Sequence, residues 1–257
     1  MGAALVVFRR PMPPRRPRLL IVIPCLNEEE ALPKTLAKLK DHVTALKADA
    51  EIVVIDDGSL DRTAHIARRH GVRVVELSRN LGIGGAVQTG LKIAQREGFD
   101  CALQLDGDGQ HPPEEVNKLI ARLDEKPTAD LVIGSRFMGQ DGWKSTLMRR
   151  AGIRWLSFVL GLLGARVKDP TSGFRIYGRR ALNIYSHYYP YDYPEPESIA
   201  IAHVAGLRVV EEPVQMQARQ GGLSSIRGLK TAYYMLKVTI AVLLSALRTD
   251  LRRFEIE

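Results

Sequence analysis

Two aspartates one residue apart, Asp106 and Asp108, stand just past an apolar run from Cys101 to Leu105, with Gly107 between them and Gly109 after them. The run reads as a buried strand, and glycine lets the backbone turn tightly behind it. Carboxylates so placed sit at the carboxyl end of a strand, where open α/β sheets bind their ligands. In an extended or turning segment the two side chains point roughly the same way and reach one hard divalent cation. The chemistry this suggests is a metal site for the diphosphate of a nucleotide sugar. The plain alternative is a polar loop of turn-forming Asp and Gly. A calcium-binding EF-hand fits worse, because His111 stands where that loop needs glycine and Asn117 where it needs a bidentate glutamate.

The elements that must position such a loop follow from the apolar pattern. Leu19 to Ile23 before Pro24, Glu51 to Ile55, Val72 to Leu77, Cys101 to Leu105 and Leu131 to Gly134 are short runs of parallel-strand type. Between them the sequence predicts helices from Asn27 to about Leu46, from Asp61 to His70, from the glycine-rich stretch after Asn80, and from Pro112-Pro113 with Glu114 and Glu115 in the first turn. The alternation predicts an α/β fold with a mostly parallel, doubly wound sheet. After Ser135 the character changes. A loop to Ser145 leads to an apolar helix from Leu147 to Leu163 carrying Arg149, Arg150, Arg154 and Trp155. A polar turn, 169–175, precedes a short strand; a helix runs from Pro194 to near Gly206, and strand character resumes from Leu207 to Met216. A Gly/Ser loop, Arg219 to Ser225, precedes the last apolar stretch, Leu229 to Leu247.

Composition bounds the partners. With 257 residues and 45% hydrophobic content the chain suffices for one large α/β domain or two small ones. Its 37 Lys and Arg against 29 Asp and Glu leave a formal charge of +8, which favours anionic partners: nucleotides, nucleic acid or acidic lipid headgroups. Cys25 and Cys101 fall at strand-like positions and read as small buried hydrophobes in a reducing, cytosolic compartment. The apolar start, through Phe8, precedes Arg9, Arg10, Arg15, Arg16 and Arg18, the reverse of a secretory signal order. This arm reads as a disordered tail or as an electrostatic tether to an anionic membrane. Leu229 to Leu247 approaches a membrane span, but Lys230 and Lys237 interrupt it, and with Arg248 they share one helical face. An interfacial helix and a helix packed on the rest of the protein or on a partner are both open. The Leu147 to Leu163 helix is in turn either a second membrane contact or a core helix.

Four strand ends carry polar signatures: Pro24-Cys25-Leu26-Asn27-Glu28-Glu29, Asp56-Asp57-Gly58-Ser59, Asn80 to Gly90, and Asp106 to His111. Singly, each has a dull explanation, such as Asn27 or Ser59 capping a helix, or Asp57 in a turn. Gly82, Gly84 and Gly85 follow the third strand and lack Gly-x-Gly-x-x-Gly spacing, which argues against a dinucleotide fingerprint. Together with Gly134-Ser135-Arg136 and Asp169-Pro170-x-Ser172-Gly173-Phe174-Arg175, the ordered set resembles the inverting family-2 glycosyltransferases, and within them the dolichyl- or polyprenyl-phosphate sugar synthases.

The resemblance covers about residues 19–226 and implies a GT-A (Rossmann-like) catalytic domain there, after a basic arm, 1–18, and before a C-terminal amphipathic helix and tail, 227–257. It implies that Pro24, Leu26, Glu28, Ile55 and Asp57 contact the nucleotide, with Asp106 and Gly107 in the same binding set. It implies that Asp106, Asp108 and Gln110 organise Mg²⁺ or Mn²⁺ with the diphosphate, and that Arg136 and Arg219 lie near the phosphates. Asp108, Asp169, Arg136 and Arg219 are the expected catalytic set; Asp169 is the first candidate for a general base should the acceptor be a hydroxyl, Glu195 or Glu197 the next. Gln217-Ala218-Arg219-Gln220-Gly221 lacks the tryptophan of many hydroxyl-acceptor relatives, which favours a phosphate acceptor, although Ser224-Ser225 replaces the Ser-Lys usual in polyprenyl-phosphate enzymes. The expectation is an enzyme of cell-envelope polysaccharide biosynthesis that takes a UDP- or GDP-linked sugar donor and a polyprenyl phosphate acceptor. It is expected at the cytoplasmic face of the plasma membrane in peripheral contact, with a small membrane-protein partner or a second copy and without nucleic acid. The alternatives are transfer to a polysaccharide hydroxyl and a silent binding module on the same sheet. A nucleotidyltransferase also uses paired aspartates, but the early Gly-rich basic loop it would need is missing.

Overall fold

A computed structural model describes residues 15–138, 146–217 and 230–248. Among them, seven strands form one sheet: β1 (Arg18–Cys25), β2 (Asp49–Asp56), β3 (Arg73–Glu76), β4 (Cys101–Gln104), β5 (Leu131–Ser135), β6 (Arg175–Gly178) and β7 (Val209–Pro213). Their order is β3-β2-β1-β4-β6-β5-β7, and every pairing is parallel except the two made by β6, which runs antiparallel between β4 and β5. The expected α/β class with a mostly parallel sheet is therefore present. The late short strand enters it in the middle, not at an edge.

The period of two along β1 divides the core. Leu20 and Val22 enter a cluster with helices α3 (Gly82–Arg96), α5 (Leu147–Leu162), α6 (Arg179–Tyr185), α7 (Pro194–Val204) and α8 (Lys230–Ala246). Leu19, Ile21 and Ile23 face the other way, toward α1 (Leu32–Val43), α2 (Thr63–Arg69) and α4 (Val116–Asp124). Pro24 continues β1 instead of ending it. The Val22 carbonyl accepts from Leu105 on the β4 side and the Cys25 carbonyl from Asp57 on the β2 side. Pro24, two residues beyond Val22, thus turns its nitrogen toward β4 where that strand has already ended, and no ladder bond is lost.

Helix α1 starts at Leu32, not at Asn27, because Asn27 is left-handed (φ 55°) and couples two loops. Its N–H donates to Ser59 Oγ (2.9 Å), and its Oδ1 accepts from the Leu60 N–H (2.8 Å). Helix α6 went unforeseen: its seven residues follow β6 directly, too short a stretch for periodicity to reveal. In the expected C-terminal segment, α8 buries Val238 and Val242 against α7, and Ser245 Oγ donates to Glu197 Oε2 (3.1 Å). Its outward face is mostly apolar, with the exposed Lys237 along one edge. Among the described residues no helix is long and apolar enough to cross a membrane.

Gly84, Gly85 and Gly90 of α3 serve packing. A Cβ on Gly84 would stand 2.1 Å from the Pro190 carbonyl oxygen and 2.7 Å from Tyr191 Cα, so the chain before α7 lies directly on the helix. Gly84→Ala is expected to lower stability by about 1–3 kcal/mol, since backbone must move to admit the methyl group; the urea midpoint measures it, and an unchanged midpoint would contradict this packing.

Candidate active site

The polar strand ends meet at the carboxyl edge of β1, β2, β4 and β5. The loop after β4 is held from within. The Asp106 N–H donates to His111 Nδ1 (3.0 Å), and the His111 ring stacks on Phe174 with centroids 4.9 Å apart. Because Nδ1 accepts, the neutral ring carries its proton on Nε2. Burial pushes the His111 pKa down to about 4, against the opposing field of Asp108. Asp108 Oδ1 accepts the Gln110 N–H (3.0 Å) and Asp108 Oδ2 accepts from Gln110 Nε2 (2.7 Å). Gly107 is a packing position: Thr35 Oγ1 donates to its carbonyl (2.9 Å), and a Cβ would come within 2.8 Å of Cys25 Sγ.

Beside this loop, Asp57 Oδ1 accepts the Leu81 N–H (2.7 Å), which ties the end of β2 to the start of α3. Burial raises the Asp57 pKa above the ordinary carboxylate value. Pro24 and Ile55 are register partners with buried side chains, so only their backbones remain for a ligand, whereas Leu26 is 43% exposed. Cys25 is a buried, free thiol; burial raises its pKa well above the usual value, and the fields of Glu28, Asp56, Asp106 and Asp61 raise it further. Those carboxylates create a negative field at the end of β1.

The far side is built on a buried ion pair. Arg136 Nε and Nη2 donate to the two oxygens of Asp169 (2.7 Å each), the Arg136 backbone N–H donates to Asp169 Oδ2 (3.0 Å), and Thr171 Oγ1 accepts from Nη2 (2.8 Å). Both charged side chains are almost wholly buried. Asp169 is thus fully engaged with Arg136, which suits positioning and leaves little room for proton abstraction. Arg175 pins the same turn to α7: it donates to the carbonyls of Ser172 (2.6 Å) and Pro170 (3.1 Å) and to Ser198 Oγ (2.7 Å). Gly173 then lies against the metal-type loop, where a Cβ would be 3.3 Å from Asp106 Oδ1 and 3.2 Å from Gln104 Nε2. Glu195, half-buried in the first turn of α7, has its pKa raised by burial, with Arg175 and Arg136 lowering it and Asp106 raising it. Glu197 is instead bonded to Ser245.

Arg219 lies outside the described residues. The described chain before it ends at Gln217, whose N–H donates to the Gln110 carbonyl (2.9 Å). Among the described residues no three His, Cys, Asp or Glu side chains converge as a metal cage. Two carboxylates and an amide oxygen in one loop still suit Mg²⁺ or Mn²⁺, hard ions that bind through one or two carboxylates and complete their shell with phosphate oxygens and water. His111, Arg175 and Gln104 were assigned no role from sequence, although the histidine directly follows the Asp-x-Asp-x-Gln run. A histidine five residues after the aspartate whose N–H it accepts was the available signal.

The sequence model for Glycosyl transferase family 2 matches residues 20–187. An undecaprenyl-phosphate mannosyltransferase of Micrococcus luteus is 32% identical over 222 residues, covering 82% of this chain and 88% of that protein. A UDP-N-acetylglucosamine–dolichyl-phosphate N-acetylglucosaminyltransferase of Methanococcus voltae is 29% identical over 251 residues, covering 88% of this chain and 98% of that one. In fold, the chain is similar to glucosyl-3-phosphoglycerate synthase of Mycobacterium tuberculosis, solved with Mn²⁺, UDP and phosphoglyceric acid: TM-score 0.67 at 22% identity, over 90% of this chain and 78% of that one.

Asp169→Ala would leave the Arg136 guanidinium buried without its counter-charge. It is expected to cost about 3–5 kcal/mol of stability, far more than removal of an exposed carboxylate. Chemical denaturation measures this; a loss under about 1 kcal/mol would refute the buried pair.

Proposed function

This chain belongs to glycosyl transferase family 2 and is a glycosyltransferase of GT-A fold, and from that premise we propose that it moves a sugar from a nucleotide-diphospho-sugar to a polyprenyl phosphate, with inversion at the anomeric carbon. The observation that carries the acceptor assignment is the pair of relatives above: their names differ in the sugar and agree on a polyprenyl phosphate. The donor assignment is supported by the carboxylate loop, Asp57 and the Arg136–Asp169 pair meeting at one edge of the sheet.

In this reading Asp106, Asp108 and Gln110 hold Mg²⁺ or Mn²⁺, and Leu26, Glu28 and Asp57, with the backbones of Pro24 and Ile55, receive the nucleoside. The ion, when bound, neutralises charge on the diphosphate as a Lewis acid. As the anomeric bond breaks, the departing nucleoside diphosphate gains negative charge, so cationic groups stabilise the transition state more than the ground state. Asp169 and Thr171 fix the plane of Arg136, so its charge needs no reorganisation at that moment. Arg219 is the second arginine assigned to the phosphates. A phosphate acceptor is already anionic at neutral pH and attacks from the face opposite the leaving group without a strong base. The enzyme works in peripheral contact with the cytoplasmic face of a membrane, where such an acceptor resides.

Glu195 supports one second reading. A half-buried carboxylate with a raised pKa, within the field of Asp106, is a base that transfer to a hydroxyl would need. Two variants test these readings. In Mn²⁺, UDP or GDP is expected to raise the melting temperature of the parent; Asp108→Asn should lose that protection and most turnover while remaining folded, and a folded variant with near-normal activity would remove the metal role. Glu195→Gln should keep turnover within about tenfold for a phosphate acceptor, whereas a loss of about 100-fold or more would favour the hydroxyl acceptor.

A further inference from the structure

Helices α5 and α8 touch along one edge. Trp155 Nε1 donates to Thr239 Oγ1 (3.0 Å), and a Cβ on Gly152 would come 3.2 Å from Met235 Sδ. Leu156, Val159 and Leu160 of α5 and Val238 and Val242 of α8 enter the same core, so the opposite faces of the two helices look outward together. Those outward faces are apolar: Leu147, Trp155, Phe158 and Leu162 on α5, and Tyr233, Leu236, Ile240 and Leu244 on α8, are all exposed. Contiguous exposed apolar surface of this kind marks an interaction site.

The charges are arranged around this strip. At 3.6 residues per turn, Thr239 and Met235 fall on the edge of α8 that meets α5, while Lys237 falls on its far edge; Arg248, just past the end of the helix, lies over the Tyr188 ring. Helix α5 mirrors this, with Trp155 and Met148 toward α8 and the exposed Arg154 along the far edge. Neither helix contains an acidic residue. The result is an apolar strip between two basic borders, with indole and phenol rings among its side chains.

We propose that the α5–α8 face is the plane by which the protein docks on an anionic lipid bilayer, with the apolar strip entering the headgroup–acyl boundary and the basic borders meeting lipid phosphates. This deepens the proposed function and rests on its lipid-linked acceptor. Basic-bordered apolar helices with aromatic side chains lie in that interface and are held jointly by apolar burial and attraction to anionic headgroups. A second copy fits less well. A two-fold contact through this face would set the same apolar strips together inside like-charged borders, and the helices carry no acid to pair with them. The plane is also continuous with the site through α8, which packs on α7, whose first turn carries Glu195.

Vesicle flotation of the whole protein, without donor or acceptor, tests this. Vesicles with about 30 mol% phosphatidylglycerol in phosphatidylcholine are expected to retain at least about tenfold more protein than pure phosphatidylcholine, and 1 M salt should weaken the retention. Phe158→Glu with Leu162→Glu, and Leu236→Glu with Leu244→Glu, change side chains that are 57%, 72%, 59% and 60% exposed, so the fold should persist. Each pair is expected to cut retention at least about tenfold while leaving the melting temperature and nucleotide protection unchanged. Absence of retention, parent-like retention by both folded pairs, or a solution dimer that these pairs convert to monomer would overturn the proposal. Retention by a parent that nucleotides fail to protect would support the docking plane and count against the transferase reading alone.

Discussion

The buried pair of Arg136 and Asp169 is the constraint on which the site depends. Two charges withdrawn from water are tolerated only when their geometry and remaining hydrogen bonds are satisfied, and here both guanidinium and carboxylate are held on several atoms. That requirement fixes the turn 168–173 at the end of β5, with Glu211 accepting the N–H groups of Lys168 and Asp169 from the neighbouring β7. A chain leaving this turn into β6 must run back down the sheet, hence the one antiparallel strand between β4 and β5. It also brings Gly173 against Asp106 and Phe174 under His111. One ion pair thus joins the later part of the chain to the carboxylate loop.

The opposite half of the site gathers carboxylates instead of a neutralised pair. Around the end of β1, burial raises the pKa of Cys25 and the fields of Glu28, Asp56, Asp106 and Asp61 raise it further; that gathering of carboxylates suits a divalent cation that brings its own anionic ligand. The loop that would take the ion is ordered by neutral contacts: His111 accepts from the Asp106 backbone, Thr35 donates to the Gly107 carbonyl, and Gln110 covers Asp108. Burial holds the His111 pKa down at about 4, so its ring adds no positive charge to the loop at physiological pH. Both sides of the site are thus held in place before any ligand arrives, the carboxylate loop by its own hydrogen bonds and Arg136 by Asp169 and Thr171.

Much of this was legible in the sequence, for identifiable reasons. Short apolar runs at βα spacing gave the class and the first five strands, and polar residues immediately after them located the carboxyl edge. What sequence could not supply was contact across the chain. The Asp169 carboxylate looks like a base until Arg136, 33 positions away, is seen to occupy it. Ile55 matches a nucleotide-contact motif, yet its side chain lies in the core. Asn27 looks like a helix cap, but its left-handed backbone makes it a bridge to Ser59 and Leu60. In the last apolar helix the lysines marked one exposed edge, but nothing local told which of the many apolar residues would pack on α7 and which would face outward. Packing across the chain sets that division, with Val238 and Val242 in the core shared with α5.

The most direct measurement of the central claim is product analysis. Purified protein is incubated with UDP- and GDP-linked sugars, polyprenyl phosphate and Mg²⁺ or Mn²⁺, and the lipid fraction is examined for transferred sugar. The expected product is an acid-labile glycosyl phosphodiester of the lipid whose anomeric configuration is inverted relative to the donor. Sugar found only on a hydroxyl acceptor, or a lipid product with retained configuration, would contradict it.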